Sequence, residues 1–178
     1  LGGWRNKKII ICGVIFLMVG MLSPFLAKIM PDIFSSMVTD GIQITVSTPT
    51  SVDSWMQFYG NIGSLGLLVF VILFADTICA EIEQGTLINL ITKGLPRQTI
   101  LLAKTLYLYF LWTLFYAAAF LICLLYTRIY FNDSLTHHLI SAGFSYWLFG
   151  LLSISLLLLS SAFAKNVYQV LLFLAAFY

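Results

Sequence analysis

The sequence predicts an all-α fold, a polytopic transmembrane helical bundle with four full spans and the start of a fifth. Three observations carry that expectation. Hydrophobic residues make up 61% of the 178 and charged residues 9%, where a soluble domain holds about 25% charged residues; so few charges do not clothe a water-facing surface. Four long apolar runs, at 9–27, 61–80, 106–126 and 139–163, hold a single charge among them, Asp76. The remaining charges gather in the stretches between the runs.

The first run follows Trp4, Arg5, Lys7 and Lys8. As a helix it reaches about 28 Å, close to the hydrocarbon thickness of a bilayer. It is longer than the core of a signal peptide and lacks a small-residue cleavage site, so a retained span is expected. Pro24 is expected to kink it, and Lys28 to snorkel outward. Residues 28–60 then read as an outer loop, with Pro31, Asp32, Asp40, Pro49 and Asp53. Within it 44–48 suggests a short extended piece, and Trp55, Phe58 and Tyr59 suggest an interfacial belt. The second run opens with Gly60, Gly63, Ser64 and Gly66, which fit either a helix-packing surface or a loop-to-helix junction. Asp76 reads as interfacial, since Glu81 follows so closely. The third run is rich in aromatics. The fourth has Gly143, Gly150, Ser153 and Ser155 as small or hydroxyl-bearing positions. Residues 167–178 begin a fifth run, and both ends read as trimmed from a longer protein.

Of the nine basic residues, Arg5, Lys7, Lys8, Lys93, Arg97, Lys104 and Lys165 fall on one side of this topology, and Lys28 and Arg128 on the other. The positive-inside rule then places the N-terminus and residues 80–104 in the cytoplasm.

Several chemistries are missing. There is no P-loop sequence and no H-E-x-x-H. His137 and His138 are adjacent, and neighbouring helical positions point about 100° apart, so they share no ligand face. The odd set of Cys12, Cys79 and Cys123, without close spacing, suits buried thiols better than disulfides or zinc. The middles of the runs carry no acid, base or histidine. No catalytic residue, resident cofactor or metal site is expected, so the chain does not read as an enzyme. A net charge of +2 with no basic stripe gives no case for nucleic acid.

Polar residues concentrate in 80–104. Taking 81–93 as a helix, Leu87, Leu90 and Ile91 share a face with Ile82 a turn earlier. Glu81 and Glu83 then occupy its first turn and Lys93 its last, each favoured by the helix dipole. Gly94 and Pro96 suit a stop and a restart. Such a helix either lies on lipid headgroups or receives a protein partner.

The pattern Glu81-x-Glu83-x-Gly85-Thr86-Leu87, then Leu90, Pro96-Arg97 and Lys104, resembles the signature of type-2 ABC permeases, the membrane subunits of ATP-binding-cassette exporters and related bacterial efflux or immunity systems. It departs from that signature in lacking a small residue between Pro96 and Arg97. The resemblance implies six spans in a cytoplasmic (inner) membrane. It makes 81–93 the coupling helix, with Glu81, Glu83, Gly85, Thr86, Leu87, Leu90 and Lys93 at the interface with a cytoplasmic ATPase subunit. That subunit, not this chain, would bind ATP. Pro96, Arg97 and Lys104 would restart the helix and anchor it. A second permease subunit, identical or related, would complete the substrate path, with membrane lipid around the pair. The alternatives are an ATP-independent channel, in which Asp76 and Lys28 gain weight, or a structural subunit of a membrane complex.

Overall fold

The computed structural model describes residues 2–37, 50–83, 97–131, 139–163 and 169. Among them no strand occurs. The elements are α1 (Gly2–Met37), α2 (Ser51–Asn61), a π-helical turn (Ile62–Gly66), α3 (Leu67–Glu83), α4 (Arg97–Tyr130) and α5 (Leu139–Phe163). Among the described residues four stretches are long and apolar enough to cross a membrane: Lys7–Met30, Ser51–Ala75, Leu101–Tyr130 and Leu139–Ser161. The short extended piece at 44–48, the histidine pair and all of the fifth run except Gln169 lie outside the described residues.

Helix boundaries differ from the composition-based reading, for a physical reason. Composition marks where a chain leaves the apolar layer, not where its backbone stops bonding to itself. With 36 residues, α1 is about 54 Å long and runs on through Lys28 and Pro31. Its interior proline, Pro24, is fully buried in an unbroken helix. Beside it the Ser23 hydroxyl donates to the Val19 carbonyl at 2.7 Å, and Asn61 Nδ2 reaches Ser23 Oγ at 3.3 Å. Local hydroxyls and neighbouring helices are how membrane helices tolerate proline.

The second crossing begins at Ser51, ten residues before the apolar run. Thr50 opens it: both its N–H and its hydroxyl donate to Asp53 Oδ2 at 2.9 Å. This is the return half of a capping box. Trp55, Phe58 and Tyr59 therefore sit on a helix and in the core, not in an interfacial belt on a loop. The crossing then widens into the π turn, where the Leu67 N–H reaches back to the Ile62 carbonyl. Gly63 packs on the Tyr146 ring and Gly66 near Phe16, while no described residue would meet a Cβ at Gly60. The glycines lie inside a helix, and two of the three face neighbours.

The bundle closes because α1 packs on α4 and α2, and α5 on α3 and α4. Small residues set the spacing. A Cβ added at Gly20 would lie 2.8 Å from the Ala119 carbonyl oxygen, and one at Gly13 3.3 Å from the Phe115 ring. The first obstacle is backbone and does not move aside. Gly20→Val is therefore expected to separate α1 from α4 and cost about 1–3 kcal/mol, read as a lower thermal unfolding midpoint in detergent. Gly13→Ala, which meets only a side chain, should cost less.

Side chains on the outer faces are large and apolar, among them Ile10, Met18, Leu102, Phe110 and Ile140. Such surface is stable only with lipid as its solvent, in which the backbone must be satisfied within helices.

Candidate functional site

The candidate segment joins the end of α3 to the start of α4. Gly85, Thr86, Leu87, Leu90, Lys93 and Pro96 lie outside the described residues. Glu81 and Glu83 lie on the helical backbone of α3 (Leu67–Glu83), and the next residue, Gln84, lies outside the described residues. Arg97 opens α4. Lys104 lies two turns in and is half-buried.

Both arms of the segment are fastened to the core. On α3, Phe70, Val71, Phe74 and Ala75 are buried, with the Phe70 and Phe74 rings 4.7 Å apart. On α4, Leu108, Leu111 and Trp112 are buried.

Trp112 joins the arms to the other helices. It is 0% exposed. Its ring meets Phe16 of α1 edge-on at 5.6 Å and Phe70 of α3 at 5.4 Å, and it stacks on Tyr116 at 6.0 Å. Its Nε1 donates to the Trp147 carbonyl of α5 at 3.3 Å. Against its face lies Gly150, where no side chain fits. Displacing α3 relative to α4 therefore requires moving α1 and α5 as well.

Polar ties act along the same helices. Tyr116 donates to the Gly143 carbonyl at 2.7 Å and Tyr59 to the Leu139 carbonyl at 3.0 Å. Ser54 and Thr127 share a buried bond of 2.9 Å. Lys28 places its ammonium 4.6 Å from the centre of the Tyr130 ring, a cation–π contact. Cys12 and Cys123 are buried free thiols. The aromatic lock and the Ser54–Thr127 pair were not singled out from sequence. Gly150 was visible only as one small residue among several, and its partner lies more than thirty positions upstream.

A multi-pass helical membrane protein, with a polar segment slung between two core-anchored helices, is the class these features define. The chain belongs to the family described as ABC-2 family transporter protein, whose model matches residues 3–178. It is also similar to the uncharacterized transmembrane protein YxlG of Bacillus subtilis (strain 168), with 21% identity over 136 residues, covering 75% of this chain and 53% of that protein. The chain thus spans about half the length of the curated relative it matches. No solved structure matches it.

Proposed function

We propose that this chain is the membrane-spanning permease subunit of an ABC exporter, which turns ATP hydrolysis on a separate cytoplasmic subunit into movement of a substrate. Family membership over residues 3–178 carries this reading. The fold supports it: the helices α3 and α4 on either side of the segment are anchored in buried aromatic packing, so a push on it reaches the whole bundle through Trp112. In the sequence the acids Glu81 and Glu83 open that segment, and two carboxylates suit a basic partner surface.

In this mechanism ATP binding closes two ATPase subunits. The 81–93 segment, seated in a groove of one of them, shifts with it. The arms α3 and α4 transmit the shift, and the bundle changes which side of the membrane its substrate path opens to. Basic groups of the ATPase would pair with Glu81 and Glu83. A second permease subunit would form the other wall of the path.

The test has two arms. Affinity purification in mild detergent should bring down a soluble subunit carrying a nucleotide-binding motif. A cysteine introduced by Gln84→Cys should react with a membrane-impermeant maleimide only after the cytoplasmic side is opened. Labelling in intact cells would put the segment beyond the reach of any ATPase and end the proposal.

A further inference from the structure

Ser51 is a buried residue, 2% exposed, whose hydroxyl has no hydrogen-bond partner among the described residues. Leaving a buried hydroxyl unsatisfied is costly, so one that faces a cavity suits a ligand. Ser51 lines a cavity of about 180 Å³ at the end of the bundle where α2 begins, α4 ends and α5 begins. The same cavity is lined by Thr127 and Arg128, with Trp55, Phe131 and Ile140 supplying apolar wall. Thr127 is already engaged by Ser54. Arg128 is exposed and makes no ion pair among the described residues. Asp53, the nearby carboxylate on α2, is turned onto Thr50 by its cap bonds and does not line the cavity.

A second cavity, an open groove of about 390 Å³ along α4 and α5, shares Phe120 and Ile140 with the first. Its wall is apolar, with Ala117 and Leu121 from α4 and Phe144 from α5. The one phenol there, that of Tyr116, is spent on the Gly143 carbonyl. The two cavities form an adjacent pair, with Phe120 and Ile140 between them: a pocket that holds the Ser51 hydroxyl and a guanidinium beside an apolar furrow.

We infer that this pair is a binding site for an anionic phospholipid of the bilayer. The phosphate accepts from Ser51 Oγ and Arg128, and one acyl chain lies in the furrow between α4 and α5. Guanidinium and hydroxyl donors suit phosphate oxygens, and charge-assisted bonds are the stronger kind. An exposed apolar furrow on a membrane helix pair is filled by acyl chain without further cost. The inference stands on the fold and does not depend on the transport reading.

Native mass spectrometry tests it on the protein extracted in its own membrane complex, given phosphatidylglycerol and phosphatidylcholine in equal amounts. Phosphatidylglycerol should be retained at least about tenfold better: both lipids offer a phosphate to Ser51 and Arg128, but the trimethylammonium of phosphatidylcholine repels the guanidinium and cancels the net charge. Arg128→Gln should abolish the preference with no change in the thermal midpoint measured without added lipid, since the residue is exposed, and Ser51→Ala should reduce it. Leu121→Trp, which fills the furrow, should lower retention of phosphatidylglycerol while leaving Arg128 in place. Equal retention of the two lipids by the unaltered protein would overturn the site, as would a preference that survives Arg128→Gln. Displacement by glycerol 3-phosphate as effective as by the lipid itself would assign the pocket to free phosphate and refute the furrow.

Discussion

Gly150→Leu is expected to prevent the bundle from assembling. A Cβ at this position would fall on the Trp112 indole, nearer than real Cβ contacts occur. The indole has no room to retreat. Phe16 and Phe70 brace it edge-on, Tyr116 stacks beneath it, and turning it away breaks the Nε1 bond to the Trp147 carbonyl. The strain therefore passes to the backbone, and α5 must leave α4. Overpacking costs about 1–3 kcal/mol where neighbours can shift, and losing a buried tryptophan about 3–5 kcal/mol. Together these rival the whole stability of a typical domain, about 5–15 kcal/mol. Size-exclusion chromatography in detergent should show aggregate in place of a single peak. Gly150→Ala should be milder but still destabilising, and Trp112→Phe in the Gly150→Ala background should recover part of the loss. Such coupling is expected only of residues in contact. A Gly150→Leu protein that elutes and melts like the parent would show that α4 and α5 do not meet here.

The same pair illustrates what the sequence does and does not disclose. All-α architecture and four crossings follow from composition and run length, because a bilayer enforces both. Helix ends do not follow in the same way. The reading that ended the first helix at 27 relied on Lys28, Pro31 and Asp32, and these mark the edge of the hydrocarbon, not the end of hydrogen bonding. The start at Ser51 had a local signal in Thr50 and Asp53, three apart, hidden inside a stretch that looked like polar loop. Which glycine faces which aromatic is a tertiary matter. A Cβ would meet Trp112 at Gly150, Tyr146 at Gly63 and no described residue at Gly60, yet all three look alike in sequence. For the candidate site the sequence pattern points to a stretch from Glu81 to Lys104, and most of that stretch, Gly85 to Pro96 included, lies outside the described residues.

The double variant Glu81→Ala/Glu83→Ala separates the proposed coupling role from a role within the chain. Were the two acids there to stabilise a helix start, removing them would cost about 0.3–1 kcal/mol each before screening by water and salt. If a partner surface reads them, the variant should insert, elute and melt like the parent. Its association with the ATPase should fall sharply. If the two carboxylates meet basic groups at the centre of that interface, the loss should reach that of a binding hot spot, at least about 2 kcal/mol, or about thirtyfold in affinity. Raising the salt concentration should weaken the parent complex and affect the variant less, since only the parent keeps the charge pairs. Glu81→Gln/Glu83→Gln should behave like the alanine pair, because charge, not shape, is what the partner reads. A lower melting temperature with undiminished association would return the two acids to a role within the chain. Unchanged stability with lost association would leave the partner surface as the role of the two acids.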